Sequence, residues 1–167
     1  VLRHPYPGAA EFLSNNVNSV IINAGDGSHE HPTQALLDTY SIQEKLGTVK
    51  NKNILIVGDI KHSRVARSNI LLLSKLGAKI TLCGPKSLIP KSLSNTSANK
   101  SEWINLKNIC IEYNLNKALK NTDVIMALRM QTERQNAKNI PSLKEYAKKY
   151  QITNRHLKTV KKTCLLM

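Results

Sequence analysis

A chain of 167 residues, 41% hydrophobic and 22% charged, is long enough to bury a core, and seven Gly and six Pro exclude collagen-like repeats and wholesale disorder. No apolar run approaches the ~20 residues of a membrane span, Val1-Leu2-Arg3-His4-Pro5 does not read as a signal peptide, and three cysteines are too few and too scattered for a disulfide framework or a zinc site, so a cytoplasmic setting without membrane contact is expected. The net charge of +14 raises the question of nucleic acid, but 19 of the 25 cations are Lys spread along the chain and aromatics are 4%, so the Arg forks and stacking rings of a nucleic-acid reader are missing and no such partner is expected.

A short helix over Ala10–Ser14 is expected first, then a strand at Val20–Asn23 and a turn at Gly25-Asp26-Gly27-Ser28. Pro32 suits a first helical turn, where its missing N–H costs nothing, and apolar residues at helical spacing run from Ala35 to Leu46 before Gly47. His31 and Gln34 then lie on one side of a helix start. Asn53–Val57 is an apolar run closed by Gly58-Asp59, the mark of a buried parallel strand. A helix over Arg64–Leu76 follows, with Val65, Ile70, Leu72, Leu73 and Leu76 as candidate core residues, and then a strand at Lys79–Cys83. Helical and loop material covers Pro90–Leu106, with Ser94–Ser101 its most flexible stretch. Strands at Ile109–Tyr113, Val124–Leu128 and Cys164–Met167 alternate with helices at Lys117–Lys120, Ser142–Tyr150 and Asn154–Val160. Cys83 and Cys110 read as buried small hydrophobes.

Alternating strands and helices predict an α/β fold, a three-layer parallel sheet with helices on both faces. A domain boundary is expected between Gly47 and Asn53. Ligands of such sheets bind beyond the carboxyl ends of the strands. Those ends are Gly58–Arg64, Cys83–Pro85 and Leu128–Arg134, and two of the three carry Arg.

Where Lys is the default cation, each Arg marks a place that asks for a planar fork of donors, as carboxylates and phosphates do. Gly58-Asp59-Ile60-Lys61-His62-Ser63-Arg64 fails as a dinucleotide fingerprint, having one glycine. His29 and His31 are not a zinc pair, and Ser63 has no nucleophile elbow. Neither cofactor nor metal is expected. A helix start with His31, Thr33 and Gln34 favours a phosphate or a polarised carbonyl. Arg64 and Arg129 follow strands, and Gln131 points the same way as Arg129 if the backbone is extended. The residues alone leave a second reading open, in which His31 caps its helix and the arginines pair with Asp26, Asp59 and Glu133.

Five segments carry a resemblance. They are Arg3-His4-Pro5, Asn23-Ala24-Gly25-Asp26-Gly27-Ser28, His31-Pro32-Thr33-Gln34-Ala35-Leu36-Leu37-Asp38, Gly58-Asp59-Ile60-Lys61-His62-Ser63-Arg64-Val65-Ala66-Arg67-Ser68 and Leu128-Arg129-Met130-Gln131-Thr132-Glu133-Arg134. In this order they resemble the catalytic chains of the aspartate carbamoyltransferase family. Where the related ornithine enzymes carry an Asn-rich stretch and a Ser-Met-Gly motif, this chain has His62-Ser63-Arg64 and Arg129-Met130-Gln131. The resemblance implies carbamoyl transfer from carbamoyl phosphate to L-aspartate in pyrimidine biosynthesis, with no cofactor. It implies Arg3 and His31 as catalytic groups on the carbonyl oxygen, Gln34 as a third carbamoyl-phosphate ligand, and Arg64, Arg129 and Gln131 as aspartate ligands. It also implies a homotrimer with shared active sites and leaves room for regulatory chains.

The family's Ser-Thr-Arg-Thr phosphate loop, its Lys-bearing loop and its later His-Pro-x-Pro segment are not among these residues. Residues 1–48 are therefore expected to be the end of a carbamoyl-phosphate domain with its linking helix, and 49–167 a Rossmann-like aspartate domain lacking its final segment. The chain alone is expected to be inactive or nearly so, with apolar surface exposed around Val20–Ile22 and Leu36–Leu37. The alternative is a non-catalytic anion-binding paralogue or fragment of the same family.

Overall fold

Asn53-Ile54-Leu55-Ile56-Val57 forms the central strand because every side chain after Asn53 has a core to enter: Ile54 and Ile56 join one buried cluster, Leu55 and Val57 another. Alternation along an extended chain sends successive residues to opposite faces, and both faces here are covered. The structure, a computed structural model, describes residues 1–94, 108–131 and 142–167.

The elements are β1 (Leu2–His4), α1 (Ala9–Ser14), β2 (Asn23–Asp26), α2 (Pro32–Leu46), β3 (Asn53–Val57), α3 (Arg64–Lys75), β4 (Lys79–Cys83), α4 (Lys91–Ser94), β5 (Ile109–Glu112), α5 (Leu115–Ala118), β6 (Val124–Ala127), α6 (Leu143–Tyr150), α7 (Asn154–Leu157) and β7 (Leu165–Leu166). Five of the strands form a parallel sheet in the order β5-β4-β3-β6-β7. Ala66, Ile70 and Leu73 of α3 and Ile42 of α2 cover one face, and Leu115, Ala118 and Leu119, with Tyr150 and Leu157, cover the other. This is the expected three-layer α/β arrangement. From β3 the chain moves outward through β4 and β5, then returns to place β6 on the other side of β3. The crevice between the ends of β3 and β6 is therefore the topological switch point, where such sheets bind ligands. Gly58 lies in it at φ +128, with Gly84 so close that a side chain on Gly84 would run into the Gly58 carbonyl.

Several expectations change. The second strand is Asn23–Asp26 instead of Val20–Asn23, because its partner is β1, through Leu2↔Asn23 and His4↔Asp26, and that pairing overrides apolar content. Val20 and Ile22 are left exposed. In α3 the apolar stripe is Ala66, Ile70 and Leu73; Val65 and Leu72 are half-buried and Leu76 is exposed, because Arg64, Ser68 and Asn69 take the second buried face. Cys83 is buried but Cys110 is exposed, since β5 is an edge strand whose outer face the described helices do not cover. The last helix and strand are shorter than expected. Most of the Ser94–Ser101 stretch, together with Glu133 and Arg134, lies outside the described residues.

Candidate functional site

Three turns deliver the candidate residues. Arg3 is the exposed middle residue of β1. β2 runs into a tight turn closed by Asp26, whose carboxylate accepts from the N–H groups of Gly8 (2.8 Å) and Glu30 (3.0 Å), from Asn23 (3.0 Å) and from His29 Nδ1 (3.0 Å). Burial alone would raise the Asp26 pKa, but these donors override it and hold the carboxyl down to about 2. Asp26 thereby ties β1, β2 and the start of α2 into one unit.

His31 is the N-cap residue of α2 (φ −143, ψ 68), yet its side chain makes no capping bond. The helix-cap reading of His31 therefore fails. Its Nδ1 lies 3.2 Å from Thr33 Oγ1, and its own N–H donates to Ser68 Oγ at 2.8 Å. Burial, followed by the positive charges of Arg64 and then Arg3, lowers its pKa from 6.5, against a smaller opposing pull from Asp38. Arg3 and Arg64 are thus each within electrostatic reach of His31, although one precedes it by 28 positions (31 − 3) and the other follows it by 33 (64 − 31). One turn into α2, the Gln34 amide donates to Asp38 Oδ1 at 2.8 Å, and Asn69 of α3 donates to Asp38 Oδ2 at 2.7 Å. The bond to Asp38 fixes the orientation of the Gln34 amide.

Arg64 opens α3 behind the N-cap Ser63, whose Oγ accepts from the Ala66 N–H at 3.1 Å. It is only 7% exposed. Its guanidinium donates to the Gly27 carbonyl at 3.3 Å and runs past Gly25 so closely that a Cβ there would stand 2.6 Å from Cζ. Arg67 instead forms an ion pair with Glu30 at 3.1 Å.

Arg129 and Gln131 follow β6. Arg129 is exposed and donates to Gln131 Oε1 at 3.2 Å, and the Gln131 amide donates back to the Arg129 carbonyl at 3.3 Å. The two side chains do share a direction. Asp59, fully buried after β3, anchors this arm: its Oδ2 accepts from the Gln131 N–H at 3.2 Å while Oδ1 lies 2.8 Å from His62 Nδ1. Arg64 opens the helix that follows β3 and Arg129 follows β6, so both come from segments that leave the carboxyl ends of two paired strands. Glu30, Asp38, Ser68 and Asn69 support the candidate residues although nothing in the sequence assigned them a role, and Asp59, expected at most as a partner of an arginine, holds the Gln131 N–H and His62. No local pattern marks such groups, because each acts through a partner distant in sequence.

Burial pushes the Cys83 thiol up to about 12, which leaves it protonated at neutral pH. Among the described residues, no group of three or more His, Cys, Asp and Glu side chains is placed to hold a metal, and no helix is long and apolar enough to cross a membrane. A separate cavity of about 570 Å³, lined in part by Ser28, Lys61, Ser63, Lys86 and Lys91, includes none of the six candidate residues.

Comparison with known proteins places these features in context. The profile of "Aspartate/ornithine carbamoyltransferase, Asp/Orn binding domain" matches residues 50–167, and that of the carbamoyl-P binding domain matches residues 1–44. The aspartate carbamoyltransferase catalytic subunit of Flavobacterium psychrophilum is 52% identical over 167 residues, which is 100% of this chain and 51% of the relative. That of Desulfitobacterium hafniense is 47% identical over 100% of this chain and 50% of the relative. Aspartate transcarbamoylase from Trypanosoma cruzi superposes with a TM-score of 0.82 in its phosphate complex, at 30% identity, over 99% of this chain and 53% of the other. Its complex with N-(phosphonacetyl)-L-aspartic acid gives 0.77 at 30% identity, over 99% and 50%. The chain spans about half the length of the curated relatives it matches.

Proposed function

The chain belongs to the aspartate/ornithine carbamoyltransferase family, and from that premise we propose that it is part of a catalytic chain that transfers the carbamoyl group of carbamoyl phosphate to the amino group of L-aspartate. The products are N-carbamoyl-L-aspartate and phosphate, an early step of pyrimidine biosynthesis. The observation that supports the reading is that Arg3 and Arg64 both act on His31 at the start of α2, while the Arg129–Gln131 arm is tied through Asp59 to the carboxyl end of β3.

The amine of aspartate attacks the carbamoyl carbon, the carbonyl oxygen gains negative charge, and the C–O bond to phosphate then breaks while the amine proton passes to the departing phosphate. Arg3 and His31 donate to that oxygen. The lowered pKa keeps the His31 ring neutral near pH 7, so it has a single N–H. When the Thr33 hydroxyl donates to Nδ1, that N–H is on Nε2, directed away from Thr33. Donors pre-aimed at a developing oxyanion are worth about 10²–10³ each in rate. Gln34, its amide fixed by Asp38, accepts from the carbamoyl N–H₂. Arg64 and Arg129, with Gln131, grip the two carboxylates of aspartate, and the remaining rate gain is alignment of amine and carbonyl.

The same reading divides the chain near residue 48 into a carbamoyl-phosphate part and an aspartate part. It carries a homotrimer with shared active sites in the cytoplasm. The test is titration of a bisubstrate analogue that joins a phosphonate to a dicarboxylate. In the full chain that carries this segment, binding should weaken at least tenfold in Arg64→Ala and in the exposed Arg129→Ala, with inorganic phosphate binding unchanged. Equal analogue affinity in all three proteins would remove the aspartate assignment.

A further inference from the structure

At the N-cap of α2 the His31 N–H lies outside the helical ladder and needs an acceptor from elsewhere. It finds Ser68 Oγ on α3. A hydroxyl that accepts there must send its proton in another direction, and the Ser68 O–H donates to Glu30 Oε2. The second oxygen of the same carboxylate, Oε1, receives the Arg67 Nε–H at 3.1 Å. Glu30 and His31 are consecutive before α2, and Arg67 and Ser68 are consecutive on α3, so two adjacent pairs interlock. Glu30 is also braced from its own side, because its N–H donates to Asp26 Oδ1 at 3.0 Å and its carbonyl accepts from the Asp26 N–H at 3.1 Å.

We propose that Glu30 is a positioning residue for the carbamoyl-phosphate site: its carboxylate, shared between Arg67 and Ser68, orients the Ser68 hydroxyl and so sets where His31 stands against the helix that carries Arg64. The proposal rests on the reading of His31 and Arg64 as ligands of the two substrates, and it makes the distance between those substrates depend on one carboxylate. A carboxylate suits the place because both of its oxygens accept, and both neighbours donate. An amide has one oxygen. In Glu30→Gln the single oxygen serves only one neighbour. Turned on Arg67 the N–H₂ meets a donor, and turned on Ser68 it forces the hydroxyl to send its proton elsewhere and accept a second donor beside the His31 N–H. The Nε of Arg and the Oε1 of Gln stand the same number of bonds from Cα. Arg67→Gln therefore puts an acceptor where Arg67 has its donor, and with both substitutions present the amide that replaces the Glu30 carboxylate can serve both neighbours.

The experiment compares wild type, Glu30→Gln, Arg67→Gln and the double variant in the full chain that carries this segment. Steady-state kinetics is read beside amide hydrogen exchange at His31 without substrate. Glu30→Gln should lower kcat about tenfold or more, with less effect on KM, and speed exchange at the His31 amide. Arg67→Gln alone should change little, because its own N–H₂ still donates to Glu30. The double variant should recover kcat to within about threefold of wild type and restore slow exchange. Wild-type kcat and exchange in Glu30→Gln would overturn the proposal, as would a double variant no better than Glu30→Gln. If the wild-type protein transfers no carbamoyl group, the functional reading falls, whereas the exchange pattern across the four proteins still decides whether Glu30 places His31.

Discussion

Gly25 occupies the place where the main chain of one turn and the side chain of Arg64 compete for space. Its φ of +113 already disfavours an L side chain, and a methyl group would stand 2.6 Å from Arg64 Cζ and 2.8 Å from a terminal guanidinium nitrogen. Gly25→Ala should therefore cost about 1–3 kcal/mol, measured by chemical denaturation, and displace the Arg64 guanidinium, which the proposed function sets against the dicarboxylate. An unchanged unfolding midpoint with unchanged analogue affinity would contradict that packing. His31 makes a second prediction at this scale. Burial first, then Arg64 and Arg3, hold its pKa below 6.5. The unfolded chain then binds the proton more readily than the folded one, so stability falls as pH drops from 6.5 towards the lowered folded value and is indifferent to this group at higher pH. A titration of the ring by NMR should show a midpoint below 6.5 that moves upward in Arg64→Ala; a midpoint at or above 6.5 in the wild type would contradict the arrangement.

α3 buries two faces of different chemistry, and this is why the apolar pattern located the helix but misjudged its core. Ala66, Ile70 and Leu73 serve the sheet, while Arg64, Ser68 and Asn69 face the start of α2 and its preceding turn. Ser63 fixes the first turn from which Arg64 projects, so the proposed function makes the helix start sensitive to this cap. Ser63→Ala should cost about 1 kcal/mol, visible as a lower urea midpoint, and should weaken analogue binding more than phosphate binding. No change in the midpoint would mean that the Ala66 N–H finds another acceptor. At the level of strands, β3, β4 and β6 were legible from apolar runs bounded by glycine or polar residues. β2 was not, since Asn23-Ala24-Gly25-Asp26 carries no strand signal and owes its conformation to β1. The β6 arm is placed by Asp59, 72 residues away, which no local window could reveal.

At the scale of the whole molecule, several large apolar side chains stand uncovered. Leu36 and Leu37 on α2 are more than half exposed, and Val20 and Ile22 lie open just before β2, as expected from the sequence; Tyr40, one turn further along α2, is exposed as well. A patch of this kind marks a contact surface. The isolated 167-residue chain should bind an environment-sensitive hydrophobic dye strongly and associate with itself as its concentration rises. Leu36→Glu with Leu37→Glu should abolish most of that signal without lowering the unfolding midpoint, because neither side chain enters the core. Weak dye binding by the unsubstituted chain would contradict this surface.

Composition and periodicity alone determined the alternating α/β order, the covered parallel sheet and the strand ends that carry arginine, because these follow from the sequence of neighbours a few positions apart. The ordered motifs determined the family by the same local means. Only the tertiary structure decided that β6 lies beside β3, that Arg64 is buried under Gly25 while Arg67 pairs with Glu30, and that His31 leans on Ser68. Those choices are made by hydrogen bonds and close contacts between residues dozens of positions apart, whose partners are fixed by the packing of elements and leave no trace in any one stretch of chain.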